Sequence, residues 1–569
     1  FEPYEGMYVT FPQALVITEY FNFDRFGEIV LSSERLLQPT AEFEPGPDAN
    51  AAAAANALDR ITLDDGRTNQ NPDPAIHPNG SEFNLDNLFR GGDRVQNVTG
   101  VLNYSFNLYR VQPTAGANYS NDNPRPASSD DVGGSITAAS FNVLNYFTTL
   151  DEDGNVCGPL SGGCRGADNA EEFERQRAKL IAALAVVDAD IVGLIELEND
   201  LADAALADLV DGLNDAMGAG SYDYIATNAI GDDEIRVGMI FRPAAVTPMG
   251  SFAILDGSVD PRFDSELNRP VLAQSFQDNS QGGIVTVSVA HLKSKGRNCD
   301  AAGDPDVGDG QGNCNLTRTN AAEALVDWLE TDPTGSGVDN HLVIGDMNAY
   351  DKEDPIDAFV AGGYTDLVYE FQGEDAYSFL FGGAIGYLDH ALASEALNPD
   401  VTGTTVWHIN ADEPDLIDYD TSFKKDAQDA IYAPDAYRSS DHDPVIVGLD
   451  VCDEIPPSFD RLTVTPELLW PANHKLVDVE ATVIASDNFD PSPSVALISV
   501  TSNEADNGKG DGNTANDIVI IDDTSFKLRA ERSGRGEGRV YTITYQATDA
   551  CGNTATDSVD VRVPHDRRK

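Results

Sequence analysis

The stretch YRSSDHDPVIVG, residues 437–448, places Asp441, His442 and Asp443 directly before an apolar run. The letters VIVG are typical of a buried strand, and charged groups normally stop at the edge of such a strand, where they keep their water. Three titratable side chains at the mouth of a core strand form either a solvated turn or a functional site. The choice between these interpretations depends on what the other strands carry.

Polar side chains also end four other predicted strands in the middle of the chain. Asn142 lies in SFNVLNYF, Glu196 in GLIELEND and His291 in SVAHLKSKG. Asp346 and Asn348 lie in VIGDMNAY. Ligands of packed α/β sheets bind where strands end, so we expect these groups to converge with the triplet on one rim.

The residue types in this set suit one reaction. A carboxylate such as Glu196, with other oxygen donors nearby, suits Mg²⁺ or Mn²⁺, with Ca²⁺ as a further candidate. A histidine bonded to a carboxylate takes a proton from water, and a second imidazole and a carboxamide bind the charge that develops on phosphate oxygens. The set therefore predicts metal-assisted hydrolysis of a phosphate ester.

The composition narrows the class of protein. With 96 Asp and Glu against 36 Lys and Arg, the formal net charge of the 569 residues is −60. Such a surface repels nucleic acid at low salt, although bound divalent cations can invert the local field for a phosphate substrate. We interpret the acidity as an adaptation to salt or to a cation-rich exterior.

Several function classes lack support in the sequence. No GxxxxGK[ST], G-x-S-x-G or HExxH pattern occurs, which argues against nucleotide-driven, serine-hydrolase and zincin chemistry. No uninterrupted apolar stretch of about 18 residues occurs, so no membrane span is expected. The chain opens at Phe1 without a signal peptide, and we expect a processed or truncated chain.

The six cysteines fall into close or domain-bounding pairs. None forms a CxxC pattern, and the even count favours three disulfides in an oxidising compartment, hence secretion. The predicted pairs are Cys157 with Cys164, Cys299 with Cys314, and Cys452 with Cys551.

The chain is long enough for two to four domains and divides into three blocks and a linker. Residues 1–114 alternate short β-rich runs with polar loops, an all-β pattern in which the Ala run at 51–55 is predicted to be a loop insertion. Residues 115–134 have linker composition. Residues 135–450 mix strands and helices, which indicates a layered α/β domain. Residues 451–569 carry short strands and no predicted helix, as in a small β-sandwich.

The middle block resembles the endonuclease/exonuclease/phosphatase superfamily, whose best-known member is pancreatic deoxyribonuclease. The resemblance rests on an ordered set of motifs and implies a deoxyribonuclease-I-like α/β four-layer sandwich. The flanking blocks are similar to an OB-fold-like domain and an Ig-like module of large secreted bacterial nucleases, so the expected fold class is multidomain. The motifs are SFNVLNYF, DIVGLIELEND, AHLKSKG, GDMNAY, YLDHALAS and SDHDP.

Carried over residue by residue, the resemblance implies a metal centre. Glu196 would be the principal metal ligand, with Asn142 and Asp441 in or near the metal shell. Asp346 and Asn348 would help bind the metal or the scissile phosphate.

The resemblance also implies two histidines with different roles. His442 would be the general base, oriented by Asp389 of YLDHALAS. His291 would stabilise the pentavalent phosphorus or protonate the leaving oxygen, paired with an acid in GDDEIRVGMIFRP. The match drifts there by a residue or two; Asp233 is the chosen acid, and Glu234 is the alternative.

Basic side chains complete the expected site. Arg269 in NRPVLAQSF falls where the family has an arginine that grips a neighbouring phosphate. Lys293, Lys295 and Arg297 of HLKSKGR either touch a nucleic-acid backbone or solvate a loop, and the sequence leaves both readings open.

Together these patterns predict a secreted bacterial, divalent-metal-dependent phosphodiesterase, in first place a nonspecific DNA endonuclease, with DNA preferred to RNA as the partner. Attachment to the cell surface is compatible with the same patterns. One alternative is a phosphatase or phospholipase of the same fold. The other is a non-catalytic surface or matrix assembly protein built of β-modules.

Overall fold

The structure, a computed structural model, describes residues 1–152 and 154–566 and divides into two units. The first comprises Phe1–Asp278 and Ile284–Val451, and the second Asn279–Gly283 and Cys452–Lys569. The last three residues of the predicted third domain, 567–569, lie outside the described residues. Within the described ranges, no helix combines the length and apolarity that a membrane crossing requires.

The N-terminal region of the first unit is built around a closed β-barrel. Its strands are β1 (Tyr8–Glu19), β2 (Ile29–Ser32), β3 (Leu36–Leu37), β4 (Ile61–Leu63), β5 (Arg94–Ser105), β6 (Leu108–Pro113) and β7 (Asn118–Ser120). Five of them pair in the order β1-β2-β4-β6-β5, and β5 returns to β1, which closes the ring. Alternate residues such as Leu15 and Ile17 fill the interior, as the period of a strand dictates.

Three helices cross this region: α1 (Phe23–Phe26), α2 (Pro39–Glu42) and α3 (Pro47–Leu58). The prediction of a loop at the Ala run was wrong, because α3 contains it. Alanine loses the least side-chain entropy in a helix, and Pro47 sits in the first turn, where its missing N–H costs nothing. Asn56 connects α3 to β3, since its Nδ2 donates to the carbonyl of Leu37 at 2.9 Å.

Two six-stranded sheets form the centre of the first unit. One has the order β10-β11-β9-β8-β21-β20 and the other β12-β13-β14-β15-β19-β16. The strands are β8 (Ile136–Tyr146), β9 (Ile191–Glu198), β10 (Asp223–Tyr224), β11 (Ile235–Phe241), β12 (Val246–Leu255), β13 (Arg269–Asp278), β14 (Ile284–His291), β15 (His341–Asp346), β16 (Tyr364–Asp366), β17 (Phe379–Phe381), β18 (Ala384–Gly386), β19 (Asp389–Ser394), β20 (Val401–Val406) and β21 (Val445–Leu449). The short strands β17 and β18 pair with β3 in a separate sheet.

Helices also form in this part of the first unit. They are α4 (Ala170–Val187), α5 (Ala204–Met217), α6 (Asn315–Leu329), α7 (Asp354–Ala361), α8 (Leu367–Gln372) and α9 (Asp426–Asp429). Leu180 of α4 and Leu206 of α5 pack against the first sheet, whereas Leu325 of α6 packs against the second. Apolar side chains of both sheets, such as Ile195 and Val289, share the core between them. The predicted α/β four-layer sandwich is therefore confirmed.

The segment 115–134 belongs to the first unit and makes specific contacts in it. Asn123 Nδ2 donates to Asp412 Oδ2 at 2.7 Å, and Arg125 binds both carboxylate oxygens of Glu413, at 2.9 and 2.6 Å. These bonds hold the segment predicted as a linker against the α/β sandwich.

The second unit consists of two antiparallel sheets around one apolar core, with no α-helix among its described residues. The sheets have the orders β22-β23-β26-β25 and β24-β27-β28. The strands are β22 (Ser458–Thr465), β23 (Leu476–Ser486), β24 (Ser494–Ser502), β25 (Ile518–Ile520), β26 (Ser525–Arg529), β27 (Arg539–Thr548) and β28 (Thr554–Val563).

All six cysteines form disulfides with the predicted pairing. The Cα atoms lie 4.9 Å apart in Cys157–Cys164, 5.2 Å in Cys299–Cys314 and 5.5 Å in Cys452–Cys551.

His77 gives the barrel a pH dependence that can be tested. It is buried, its Nδ1 accepts from Asn79 N at 3.0 Å, and burial lowers its pKa to about 4. The unfolded chain therefore binds more protons than the folded chain between about pH 6.5 and 4, so we expect stability to fall as the pH drops through this window. Melting temperatures measured from pH 7 to 4 should fall less steeply in His77→Gln. The exposed His565→Gln serves as control, and parallel curves for wild type and His77→Gln would contradict the prediction.

Candidate active site

Four predicted site residues form one row across the second sheet. Arg269 pairs with His291, His291 with Asp346, and Asp346 with Asp389 in the strand register. Arg269 and Asp389 begin their strands, whereas His291 and Asp346 end theirs, so the row follows one edge of the sheet. Paired residues of neighbouring strands share a face, which brings these four side chains together.

Glu196 and Asn142 come from irregular strands of the first sheet. The registers of β8 with β9 and of β9 with β11 both shift around Glu196. Glu196 has φ 68°, and Leu144 and Asn145 opposite it have φ 52° and 51°, a region that residues other than glycine seldom adopt. Bulges of this kind re-aim side chains next to active sites, and here Asn145 N donates to Glu196 Oε2 at 3.1 Å.

His442 is held in place by Asp389. Nδ1 of the imidazole and Oδ2 of the carboxylate are 2.7 Å apart, and Ser378 Oγ donates to the same oxygen at 2.6 Å. Phe379 stacks on the imidazole with ring centroids 4.4 Å apart. Burial by itself lowers the pKa of His442, but Asp389 and Asp441 outweigh burial and raise the pKa well above its ordinary value. Because Nδ1 faces Asp389, Nε2 is the nitrogen left for chemistry.

Two carboxylates of the site, the half-buried Glu196 and the buried Asp346, lie among other acids. Desolvation raises the pKa of Glu196, and Asp441 raises it further, whereas His442 and Arg269 oppose the rise. Burial also raises the pKa of Asp346 to about 7, an effect that His442 opposes and that Asp389 and Glu196 enhance. Acids held this close together are stabilised by a cation.

The donors present fit a hard divalent cation. Glu196 and Asp441 offer carboxylate oxygens, and Asn142 Oδ1 has a lone pair left after it accepts from Leu144 N at 3.1 Å. Asp389 Oδ1 is buried and has no hydrogen-bond partner among the described residues. The predicted ligands are thus oxygen donors of the kind that such a cation binds.

His291 lies between a guanidinium and a carboxylate. Its Nε2 is 3.4 Å from Arg269 Nη1 and 3.6 Å from Asp346 Oδ2. Burial lowers the pKa of His291 well below its usual range, and the positive charges of Arg269 and His442 lower it further. The imidazole is therefore neutral at pH 7 and binds by hydrogen bonding rather than by charge.

The structure does not bring Asp233 to His291, which corrects the predicted pairing. Asp233 Oδ2 instead accepts from Arg269 Nε at 2.8 Å. Burial raises the pKa of Asp233, but Arg269, Glu234 and Arg165 together outweigh burial and lower it. A guanidinium is always charged and makes a stronger bond to a carboxylate than a neutral imidazole does. Glu234, the alternative, bonds to Arg165 at 2.9 Å.

Sequence reasoning missed three residues around the site: Arg165, Ser378 and Phe379. Arg165 directly follows Cys164 of the first disulfide, and a basic residue in such a loop matches no motif. Ser378 precedes β17 and Phe379 begins it, far in sequence from His442, so only the fold brings them to the imidazole.

Some of the side chains described above line a cleft of about 470 Å³, here called the catalytic cleft. Lys295 lines it but is bound to Glu353, with one Nζ–oxygen distance of 2.7 Å. Asn142 and Asp389 lie buried, Asp233 pairs with Arg269, and Asp441 lines an adjoining cleft. The predicted site residues that line the catalytic cleft are Glu196, Arg269, His291, Asp346, Asn348 and His442.

The lysines and the carboxamide of this region are fixed by local bonds. Asn348 Nδ2 donates to Leu292 O at 3.1 Å, and Asn348 N donates to Asp346 Oδ1 at 2.8 Å. Lys293 is buried and donates to Ser294 O at 3.1 Å, which places it inside the loop rather than in solvent.

The buried bond from Ser378 to Asp389 should contribute measurably to stability. Removing a buried donor to a carboxylate costs about 1–3 kcal/mol, so Ser378→Ala should lower the free energy of unfolding by that amount. Ser258 donates to Asp256 at the same distance of 2.6 Å but is exposed, so Ser258→Ala is the matched control and should change stability by less than about 0.5 kcal/mol. Equal losses in urea titrations of the two variants would contradict the role given to Ser378.

Several solved structures are similar to part of the chain. The mannosyl-6-phosphatase Bt3783 of Bacteroides thetaiotaomicron is 19% identical, with 55% of this chain and 99% of that chain covered and a TM-score of 0.36. The human Nocturnin catalytic domain is 14% identical, with 56% and 96% covered and a TM-score of 0.35. Zebrafish (D. rerio) TDP2 complexed with a single-strand DNA product is 16% identical, with 55% and 97% covered and a TM-score of 0.33.

Family profiles match two parts of the chain, whereas no curated protein matches it significantly. Residues 1–122 match a domain of unknown function, DUF8508. Residues 139–442, more than half of the chain, match the endonuclease/exonuclease/phosphatase profile and contain every residue of the catalytic cleft. The chain therefore belongs to the endonuclease/exonuclease/phosphatase family, whose members are metal-dependent phosphoester hydrolases.

Proposed function

We propose that this chain is a divalent-metal-dependent phosphodiesterase that hydrolyses nucleic acid, DNA in first place. The observation that carries the proposal is His442, held by Asp389, in one cleft with the carboxylates of Glu196 and Asp346 and the guanidinium of Arg269. A base, a cation site and a phosphate grip are the parts that hydrolysis of a phosphodiester requires.

In this proposal Glu196, Asn142 and Asp441 hold Mg²⁺ or Mn²⁺, with Asp346 and Asn348 at its edge. A divalent ion bound there offsets negative charge on the phosphate oxygens. The protein contributes by holding the half-buried Glu196 in a fixed conformation, since Asn145 N donates to one of its oxygens.

In its neutral form, His442 accepts the proton of the attacking water at Nε2. Its bond to Asp389 fixes the ring and stabilises the imidazolium that results, while Ser378 and Phe379 restrict the motion of the pair. The oxygen of the water then forms a bond to phosphorus in line with the P–O bond that breaks.

The opposite wall of the cleft binds the phosphate. Arg269 is oriented by Asp233, and Arg165 lies beside it, bound to Asp233 and Glu234. These two guanidiniums present fork-shaped donors to phosphate oxygens. Neutral His291 donates a hydrogen bond to the phosphorane or to the leaving oxygen, which gives it an electrostatic role.

The other regions suit an extracellular enzyme of a bacterium. The closed five-stranded ring of the N-terminal region supports an OB-like domain, and the paired sheets of the second unit support an Ig-like module. Three disulfides favour an oxidising compartment, hence secretion. The charge of −60 suits a medium rich in salt or divalent cations, where repulsion of nucleic acid is screened.

The substrate that the protein hydrolyses distinguishes this proposal from the two alternative functions. We expect hydrolysis of DNA, and more slowly of RNA, when Mg²⁺ or Mn²⁺ is added. Hydrolysis of sphingomyelin or inositol phosphates in place of nucleic acid would instead support the phospholipase or phosphatase alternative. An ordered polymer without any hydrolysis would support the assembly-protein alternative.

Removing the base or the principal ligand should stop the reaction. Loss of one such group commonly lowers turnover by about 10² or more, so His442→Ala and Glu196→Ala should each reduce plasmid cleavage by at least that factor. His390 follows Asp389 on β19 and is the control histidine, because it is buried and bonded to Asp366 of another strand. His390→Gln should therefore reduce stability more than turnover. Near-wild-type cleavage by His442→Ala and Glu196→Ala would refute the mechanism.

Metal binding can be measured without turnover. A ligand that binds only the folded chain raises its melting temperature, so Mn²⁺ should raise that of the wild type. Glu196→Gln removes the ligand charge and should abolish most of this rise, whereas the exposed Glu395→Gln should retain it. An undiminished rise in Glu196→Gln would place the metal elsewhere.

A further inference from the structure

A second cleft of about 600 Å³, here called the side cleft, adjoins the catalytic cleft. The two share Phe379 and Phe381, and Asp441 of the side cleft is the chain neighbour of His442. One wall of the side cleft comes from the end of β1 and the residues that follow it, 19–21, which belong to the N-terminal region. Any substrate that extends from the catalytic cleft past Phe379 therefore enters a space built by both regions.

Aromatic rings line this space and are open to solvent. Phe21 is 69% exposed and Phe381 is 68% exposed, and both line the side cleft together with Phe379. Large rings left in water beside an active site mark a binding surface, because covering them removes apolar area from water.

The N-terminal region also holds the hairpin that carries two of these rings. Strand β3 pairs with β18, and Gln38 Nε2 donates to the carbonyls of Phe381 at 2.8 Å and Ala384 at 3.0 Å. Arg60 Nη1 donates to Gly382 O at 2.7 Å. The backbone of the hairpin turn is thus fixed, so the rings are pre-positioned for a ligand.

Charge argues that the ligand group in the side cleft is not a phosphate. Arg438, the basic residue that lines it, is bound to Asp415, and the lining carboxylate Asp418 is bound to Lys424 at 2.8 Å. Glu19 is likewise bound to Arg60. Among the described lining residues no cation is left for an anion, whereas flat uncharged rings can stack on the phenylalanines.

We propose that the side cleft is a stacking subsite for a nucleobase next to the scissile phosphate, so that the preferred substrate is single-stranded or locally unpaired nucleic acid. The inference rests on the proposed function and adds its substrate class. Every base has a π-face, so stacking on Phe21 and Phe381 binds any sequence, but a base paired within a duplex is not available to it. The domain of unknown function would thereby contribute directly to substrate binding.

The test uses an oligonucleotide with a single phosphodiester, all other linkages being methylphosphonate, so that the scissile position is known. The base on either side of that linkage is present or replaced by an abasic residue. Because stacking contributes the affinity, removal of the base should lower wild-type kcat/KM about tenfold on one side of the linkage. In Phe381→Ala and Phe21→Ala the same removal should change kcat/KM less than about twofold.

Matched variants control for unrelated effects. Phe423 is 86% exposed and does not line the side cleft, so Phe423→Ala should keep the full dependence on the base. Phe381→Trp preserves a stacking face and should restore the dependence. Melting temperatures check that each variant is folded. Because Phe21 and Phe381 are exposed, their replacement should leave the fold intact.

The outcomes distinguish this inference from the proposed function. If the wild type cleaves intact and abasic substrates equally, or if the variants keep the wild-type dependence on the base, the stacking subsite is refuted and nuclease activity stands. If the wild type hydrolyses no oligonucleotide with Mg²⁺ or Mn²⁺, the proposed function fails and the stacking subsite with it.

Discussion

The strand register of the second sheet determines whether this chain has a site at all. Arg269, His291, Asp346 and Asp389 are neighbours only because β13, β14, β15 and β19 pair in one alignment. A slip of one residue would turn the slipped side chain to the opposite face. The apolar residues between the sheets fix the alignment, since the same slip would expose them to water. Core packing and site geometry are therefore one constraint.

Much of this arrangement was predictable from the sequence. The pattern of polar residues at the ends of apolar strands predicted that Glu196, His291, Asp346 and His442 lie together, because strand ends meet at a sheet edge. What failed depends on loops and on distant contacts. The prediction of the acid partner of His291 was wrong for two reasons. The loop before β11 has no hydrophobic period that would show which residue faces the site. In addition, Asp233 accepts a hydrogen bond from the guanidinium of Arg269 instead.

Helix formation at the Ala run illustrates a different limit. Its neighbours Asn, Asp and Pro suggested a loop, but the intrinsic preference of alanine and a few bonds to other segments were sufficient for α3. Likewise, the linker composition of residues 115–134 gave no sign of the bonds that Asn123 and Arg125 make to acidic residues nearly 300 positions later. Such pairings exist only once the fold has brought the partners together.

The left-handed backbone at Glu196 bears on how the enzyme would evolve. Glycine or asparagine suits that conformation better, so a chain released from catalysis would gain folding free energy by accepting either one. Under the proposed role of Glu196 in metal binding, glutamate at this position exchanges thermostability for activity. Engineering that aims only at heat resistance would favour replacing it and, under the same proposal, would remove the metal ligand.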